Sequence, residues 1–224
     1  MKKVAIPEGA PQRLTFFLAV EEYLAQSASE ELFFTWQSPP TVICGRNQVI
    51  ENEVNLTYCR EHGIEVVRRK SGGGCVYSDA GNVMLSYITP DTGVETAFAR
   101  FLEMVAAALR ELGFDAARTE HNDILVGDRK VSGNACHALP NATIVHGTML
   151  YDLDFDALEK ATTPSEEKLS KHGVQSVRQR VVNLKSLGLQ MTAAELRRYF
   201  EEKFCAGELQ LTADDMEKIV KFEN

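Results

Sequence analysis

"NDILVGDRKVSG", residues 122–133, joins two short strand-forming runs through Gly127-Asp128, a two-residue hairpin turn. With that turn Val126 faces Arg129, Leu125 faces Lys130 and Asp123 faces Ser132, and side chains alternate between the faces of the ribbon. Asp123, Leu125, Lys130 and Ser132 then share one face, with Asp123 and Lys130 as diagonal neighbours, while Ile124, Val126 and Val131 pack on the other. Continuing the alternation through Asn134 carries Cys136 onto the face of the lysine. Two readings stay open: a solvated Lys-Asp pair on a surface hairpin, or a lysine inside a site that supplies its partners.

Outward from this ribbon, helices and strands alternate irregularly. "LTFFLAVEEYLAQSAS" (residues 14–29) reads as an amphipathic helix with Phe17, Val20, Tyr23 and Leu24 on one face. "ELFFTWQS" and "TVICGRN" are strand-like and are separated by Pro39-Pro40. "NLTYCREHG" reads as a helix closed by Gly63, followed by the strand "IEVVRRK". Residues 94–113 carry the clearest helical stripe, Phe98, Phe101, Leu102, Val105, Leu109 and Leu112, with Gly113 as the stop. Thr192 and Glu195 have capping-box spacing, and Thr212 with Asp215 repeats it. The fold class expected is α+β: a single domain over residues 1–224, with a mixed, largely antiparallel sheet layered with helices and not a doubly wound parallel sheet.

"RRKSGGGCVYSDAGN", residues 68–82, strips side chains from three successive positions beside two arginines. Consecutive glycines permit positive φ and close approach of a ligand to the backbone, and their free N–H groups form an anion-binding concavity. No Gly-Lys-Ser/Thr follows, so this is not a Walker loop. The third glycine and following helix of a dinucleotide fingerprint are also missing. A flexible hairpin turn and a phosphate or carboxylate site both remain open.

The net charge of -8 argues against general nucleic-acid binding, although it leaves room for a local basic patch. No apolar run approaches the roughly 20 residues that cross a bilayer, and the N-terminus lacks the apolar core of a signal peptide. A cytoplasmic protein is expected. Five scattered cysteines without a C-x-x-C pair argue against zinc and a disulfide framework, and no metal ligands are assigned.

Taken together, "RRKSGGGCVYSDAGN", "NDILVGDRKVSGNA", "HGTML" (146–150) and "KLSKHGVQSVRQRVVNL" (168–184) resemble the lipoate–protein ligase family, within the biotin/lipoate ligase and octanoyltransferase superfamily. "FFLAVEEYL" and "TVICGRNQ" match it as well. The resemblance implies the class II synthetase/biotin-ligase catalytic fold. It also implies ATP-dependent activation of lipoate to lipoyl-AMP, with magnesium accompanying ATP, and transfer to a lysine of a 2-oxoacid dehydrogenase lipoyl domain or a glycine-cleavage H-protein. Lys130 matches the family's signature lysine, and Arg69 matches the arginine that contacts the nucleotide. Gly72, Gly73, Gly74, Cys75, Val76 and Tyr77 match the loop and strand that wrap the adenylate. Asp123 is expected to orient Lys130, and Asn82 to reach the adenine or ribose. His146 is expected at a strand start near the acyl pocket, where a histidine satisfied by backbone is an equal alternative.

Two departures stand out. Ser78 replaces a family histidine, and His121, the nearest candidate substitute, lies elsewhere and is not expected to fill its space. The family's small C-terminal domain is not seen, so a separately encoded accessory domain enters as an expected partner. The resemblance leaves two competitors: a thioester-forming octanoyl or lipoyl transferase using Cys136 or Cys75, and a lipoate or lipoyl-AMP binding module. A basic rim of Arg68, Arg69, Lys70, Arg178 and Arg180 is expected to meet acidic acceptors.

Overall fold

The computed structural model describes residues 1–162 and 180–223; Arg178 and most of the 168–184 motif lie outside the described residues. Eleven strands are described: β1 (Lys2–Ala5), β2 (Leu32–Trp36), β3 (Thr41–Cys44), β4 (Glu65–Arg68), β5 (Val76–Ser78), β6 (Asn82–Thr89), β7 (Ala116–Arg118), β8 (Asp123–Val126), β9 (Arg129–Ala138), β10 (Thr143–Leu150) and β11 (Glu208–Gln210). The helices are α1 (Leu14–Gln26), α2 (Ile50–Glu53), α3 (Leu56–Glu61), α4 (Val94–Glu111), α5 (Phe155–Ala161), α6 (Ala193–Phe204) and α7 (Ala213–Val220).

Eight strands form one sheet in the order β11-β1-β2-β6-β10-β9-β8-β7, and β4-β3-β5 form a second. From β2 to β7 every neighbour is antiparallel, whereas β1 runs parallel to both β2 and β11. The α+β expectation holds. The short strands β1, β7 and β11 carry too few residues to announce themselves; β7 pairs with the adjacent β8, whereas β1 and β11 pair with distant chain.

Alternation along β2, β6 and β10 sorts the core. One sheet face presents Trp36, Met84, Ile88 and Ile144 to α1, where the Phe17 ring stacks on Trp36 at 4.6 Å. The other presents Leu85, Tyr87 and Val145 to the stripe of α4 and to Leu196 and Phe200 of α6. Burying each large apolar side chain contributes roughly 1.5–3 kcal/mol, so the two layers hold the sheet from both sides. Both capping boxes form, at Thr192–Glu195 and Thr212–Asp215, and Gly63 and Gly113 end their helices with positive φ.

The hairpin forms with Val126 opposite Arg129 and Leu125 opposite Lys130, and Gly127 takes the positive φ its turn needs. Beyond that the register differs from expectation. Ile124 pairs with Ser132 and Asp123 with Gly133, so Val131 is the extra residue of a β-bulge. Burying Ile124 and Val131 together in the helix-side core favours the bulge. It sends Ser132 to that side and reverses the alternation beyond it. Cys136 therefore packs against the core with Val145, not on the lysine's face. His146 also differs from expectation: β10 begins at Thr143, so the histidine stands within the strand, opposite Ser86 and Ala135. Among the described residues, no helix is long and apolar enough to cross a membrane.

Candidate active site

The glycine turn crosses from β4 to β5 over the end of β3. Gly45, just past β3, lies so near that an added methyl group would sit 1.9 Å from the Gly73 carbonyl oxygen, and Gly73 has a φ of +92°. Arg69 is buried beneath the turn. Its Nε donates to the Gly72 carbonyl at 3.2 Å, Nη2 to Gly72 at 2.7 Å and Gly74 at 2.9 Å, and Nη1 to Ile43 at 3.0 Å. Burial lowers the guanidinium pKa below its ordinary value. With the carbonyls gathered inward, the amides of Gly72, Gly73 and Gly74 have no acceptor among the described residues. That is the donor arrangement of an anion cradle.

Two cavities meet at this turn. The smaller, about 170 Å³, is walled by Leu18, Trp36, Ile43, Met84 and His146. The larger, about 690 Å³, is walled by Tyr77, Asp123, Leu125, Asp128, Leu153 and Arg180 among others. Gly74, Cys75, Val76, Lys130 and Thr148 belong to both walls. Lys130 Nζ lies 2.8 Å from Asp123 Oδ1, and the two side chains are each 29% exposed. The contact is ionic, with angles outside those of a hydrogen bond. The pair is partly exposed, and its lysine lines both cavities. Gly133 leaves room for the lysine, because a Cβ there would lie 2.5 Å from Lys130 Nζ.

Most residues singled out in the sequence converge here. Gly73, Gly74, Cys75, Val76, Arg69, Lys130 and His146 wall the smaller cavity, and Tyr77 and Asp123 wall the larger. Gly72 belongs to the turn through its carbonyl bonds to Arg69. Arg69 reaches the wall with most of its donors turned onto backbone instead of toward an anion. Asn82 is enclosed and belongs to neither wall; its Nδ2 contacts Ser78 Oγ at 3.1 Å. Ser78 is likewise enclosed, and His121 is exposed between β7 and β8.

Neither candidate thiol is activated. Burial raises the Cys136 pKa, and burial together with the adjacent Cys44 thiol pushes Cys75 up to about 12. Sequence reasoning missed Trp36, Ile43, Met84 and Thr148 as wall residues. Their strand alternation was readable, but which face borders a cavity depends on what packs opposite. Among the described residues, no group of three or more His, Cys, Asp or Glu could hold a metal ion.

The catalytic-domain model of lipoyl protein ligase A/B matches residues 14–205. Lipoate–protein ligase 1 of Staphylococcus aureus is 38% identical over 218 residues, covering 94% of this chain and 66% of the relative. The solved bipartite lipoate protein ligase of Thermoplasma acidophilum, described with its E2 lipoyl domain, aligns at a TM-score of 0.85. It is 27% identical and covers 100% of this chain and 92% of that one. A lipoate-protein ligase A solved with ATP aligns at 0.84, again 27% identical, covering 100% and 94%. The chain spans less than two thirds of the length of the curated relatives it matches first. The matched span holds the glycine turn, the bulged hairpin and the cavities between them, and the chain belongs to the lipoyl protein ligase A/B catalytic-domain family.

Proposed function

We propose that the chain activates lipoate with ATP to lipoyl-AMP and transfers the lipoyl group to a lysine of an acceptor lipoyl domain or glycine-cleavage H-protein. One observation carries this reading: Lys130 stands in the wall shared by an apolar cavity and a larger, more polar one, beside the unpaired amides of the glycine turn. A mixed anhydride needs that layout, with its acyl chain in one compartment, its nucleotide in the other and cationic donors at the junction.

Attack of the lipoate carboxylate on the α-phosphorus releases pyrophosphate and gathers negative charge on the phosphate oxygens. The glycine amides and the Lys130 ammonium are fixed donors for that charge. Attack of the acceptor amine then builds an oxyanion at the acyl carbon, AMP leaves, and the same ammonium reaches the oxyanion. Asp123 holds the ammonium in place. Magnesium would accompany the triphosphate, held by phosphate oxygens with one or two carboxylates, and Asp128 is a carboxylate of the larger cavity's wall. The similarity to a ligase solved with ATP and to one described with its E2 lipoyl domain supports both half-reactions.

Lipoate-dependent exchange of pyrophosphate into ATP tests activation, and the mass gain of an acceptor domain tests transfer. Transfer from supplied lipoyl-AMP without exchange would reassign the chain as a transferase. Tight lipoate binding with neither activity would leave a binding module.

The acceptor is proposed to dock on a basic rim. Arg68 Nη1 is held by the carbonyls of Gly45, Arg46 and Gln48, and Lys70 pairs with Glu22 at 2.6 Å, while Arg180 is exposed at the larger cavity. Raising ionic strength from about 0.05 to 0.3 M therefore lowers kcat/KM for an acidic acceptor several-fold while lipoate activation holds steady. Equal acceptor rates at both strengths would remove the rim from docking.

A further inference from the structure

One chain of buried polar groups has no part in the chemistry above. Glu21 of α1 is 2% exposed, and both of its carboxylate oxygens are engaged. Oε1 accepts from Ser86 Oγ at 2.5 Å, and Oε2 lies 2.8 Å from His146 Nδ1. The other ring nitrogen, Nε2, lies 2.7 Å from Ser71 Oγ, at the entrance of the glycine turn. Ser86 Oγ in turn accepts from Trp36 Nε1 at 2.8 Å. All five side chains are buried, and Trp36 and His146 wall the smaller cavity.

We propose that Glu21 is a positioning residue that acts through His146 to orient Ser71 and so to set the glycine turn. The proposal rests on the reading of the turn as the phosphate cradle. An ionised carboxylate only accepts hydrogen bonds, so the His146 Nδ1 facing it carries a proton. In the Nδ1–H neutral tautomer, Nε2 offers a lone pair to which the Ser71 hydroxyl donates. The Ser71 carbonyl is fixed independently, accepting from Arg46 N at 2.9 Å. Ser71 is thereby held by side chain and main chain at the residue before the first unpaired amide.

Packing alone gives no reason for a carboxylate here. The neighbouring buried positions of α1 include Leu14, Phe17, Val20 and Leu24, and an apolar residue would cover the sheet without the desolvation penalty of a buried charge. What the carboxylate adds is direction, a defined histidine tautomer and therefore a defined serine hydroxyl. The same chain ends on Trp36, so the wall of the apolar cavity and the turn share one hydrogen-bonded support.

The test compares Glu21→Gln, Ser71→Ala and the double variant with the unaltered chain. In nitrogen-15 spectra, the His146 ring of the unaltered chain is expected to carry its neutral proton on Nδ1. Glu21→Gln, which keeps shape but adds a donor, shifts that tautomer and moves the Gly72, Gly73 and Gly74 amide signals in the direction seen for Ser71→Ala. In pyrophosphate exchange each single variant loses about tenfold in kcat, the size of one lost hydrogen bond, and the double variant loses no more than either. Unmoved glycine signals in Glu21→Gln, multiplicative kinetic losses, or a lowered Tm with unchanged kcat would each overturn the proposal. If the unaltered chain shows no exchange, the functional reading fails, and the tautomer and glycine signals still decide whether Glu21 sets the turn.

Discussion

Lys130→Ala lowers lipoyl-AMP formation by about 10²–10³-fold, the usual loss when one fixed donor to developing charge is removed. The loss falls on kcat, because the walls that hold the acyl chain and nucleotide are otherwise intact. Transfer from supplied lipoyl-AMP falls by a similar factor, since the same ammonium faces the oxyanion of the second step. Stability changes little. The Lys130–Asp123 pair is partly hydrated, and such pairs contribute about 0–1 kcal/mol. Pyrophosphate exchange and single-turnover transfer, read beside a urea midpoint, separate these effects. Undiminished exchange in the alanine variant would remove Lys130 from the chemistry.

Arg69→Lys is the second large effect, and it is expected to cost both stability and activity. Arginine's planar fork serves the carbonyls of Ile43, Gly72 and Gly74 together, whereas a lysine ammonium is a point charge on a flexible stem. Buried carbonyls left without donors cost about 1–3 kcal/mol each, so the urea midpoint falls measurably. As the carbonyls turn away, the glycine amides shift with them. A misplacement of about 1 Å can cost on the order of 10²-fold in rate, which is the loss expected in pyrophosphate exchange. A raised KM for ATP with unchanged stability would instead mean that Arg69 binds phosphate directly, as the resemblance implies.

The contrast between these two residues shows where the sequence was informative. Lys130 was legible because its position depends on a local device: a Gly-Asp turn sets the first two cross-strand pairs, and Leu125 meets Lys130 as read. Arg69 was legible as a member of the site but not in its orientation. Whether a guanidinium faces a ligand or its own backbone depends on where the end of β3 lies, and β3 enters the chain more than twenty residues earlier. Asn82 shows the same limit. It follows the glycine motif in sequence, yet β6 carries it behind Ser78 and away from both cavities.

Local stereochemistry, acting over a few residues, lies within reach of the sequence: the α4 stripe, the glycine stops, both capping boxes, the hairpin turn and the bare turn between β4 and β5. The tertiary structure alone decided the rest. The Val131 bulge turned Cys136 into the helix-side core, because two apolar side chains gain more by sharing that core than regular pairing would return. Glu21, Ser71 and His146 lie on three separated stretches of chain, and only the packing of α1 and the glycine turn against β10 brings them within hydrogen-bonding distance. Backbone propensity reaches one helical turn or one strand pair, whereas burial is settled by every element at once.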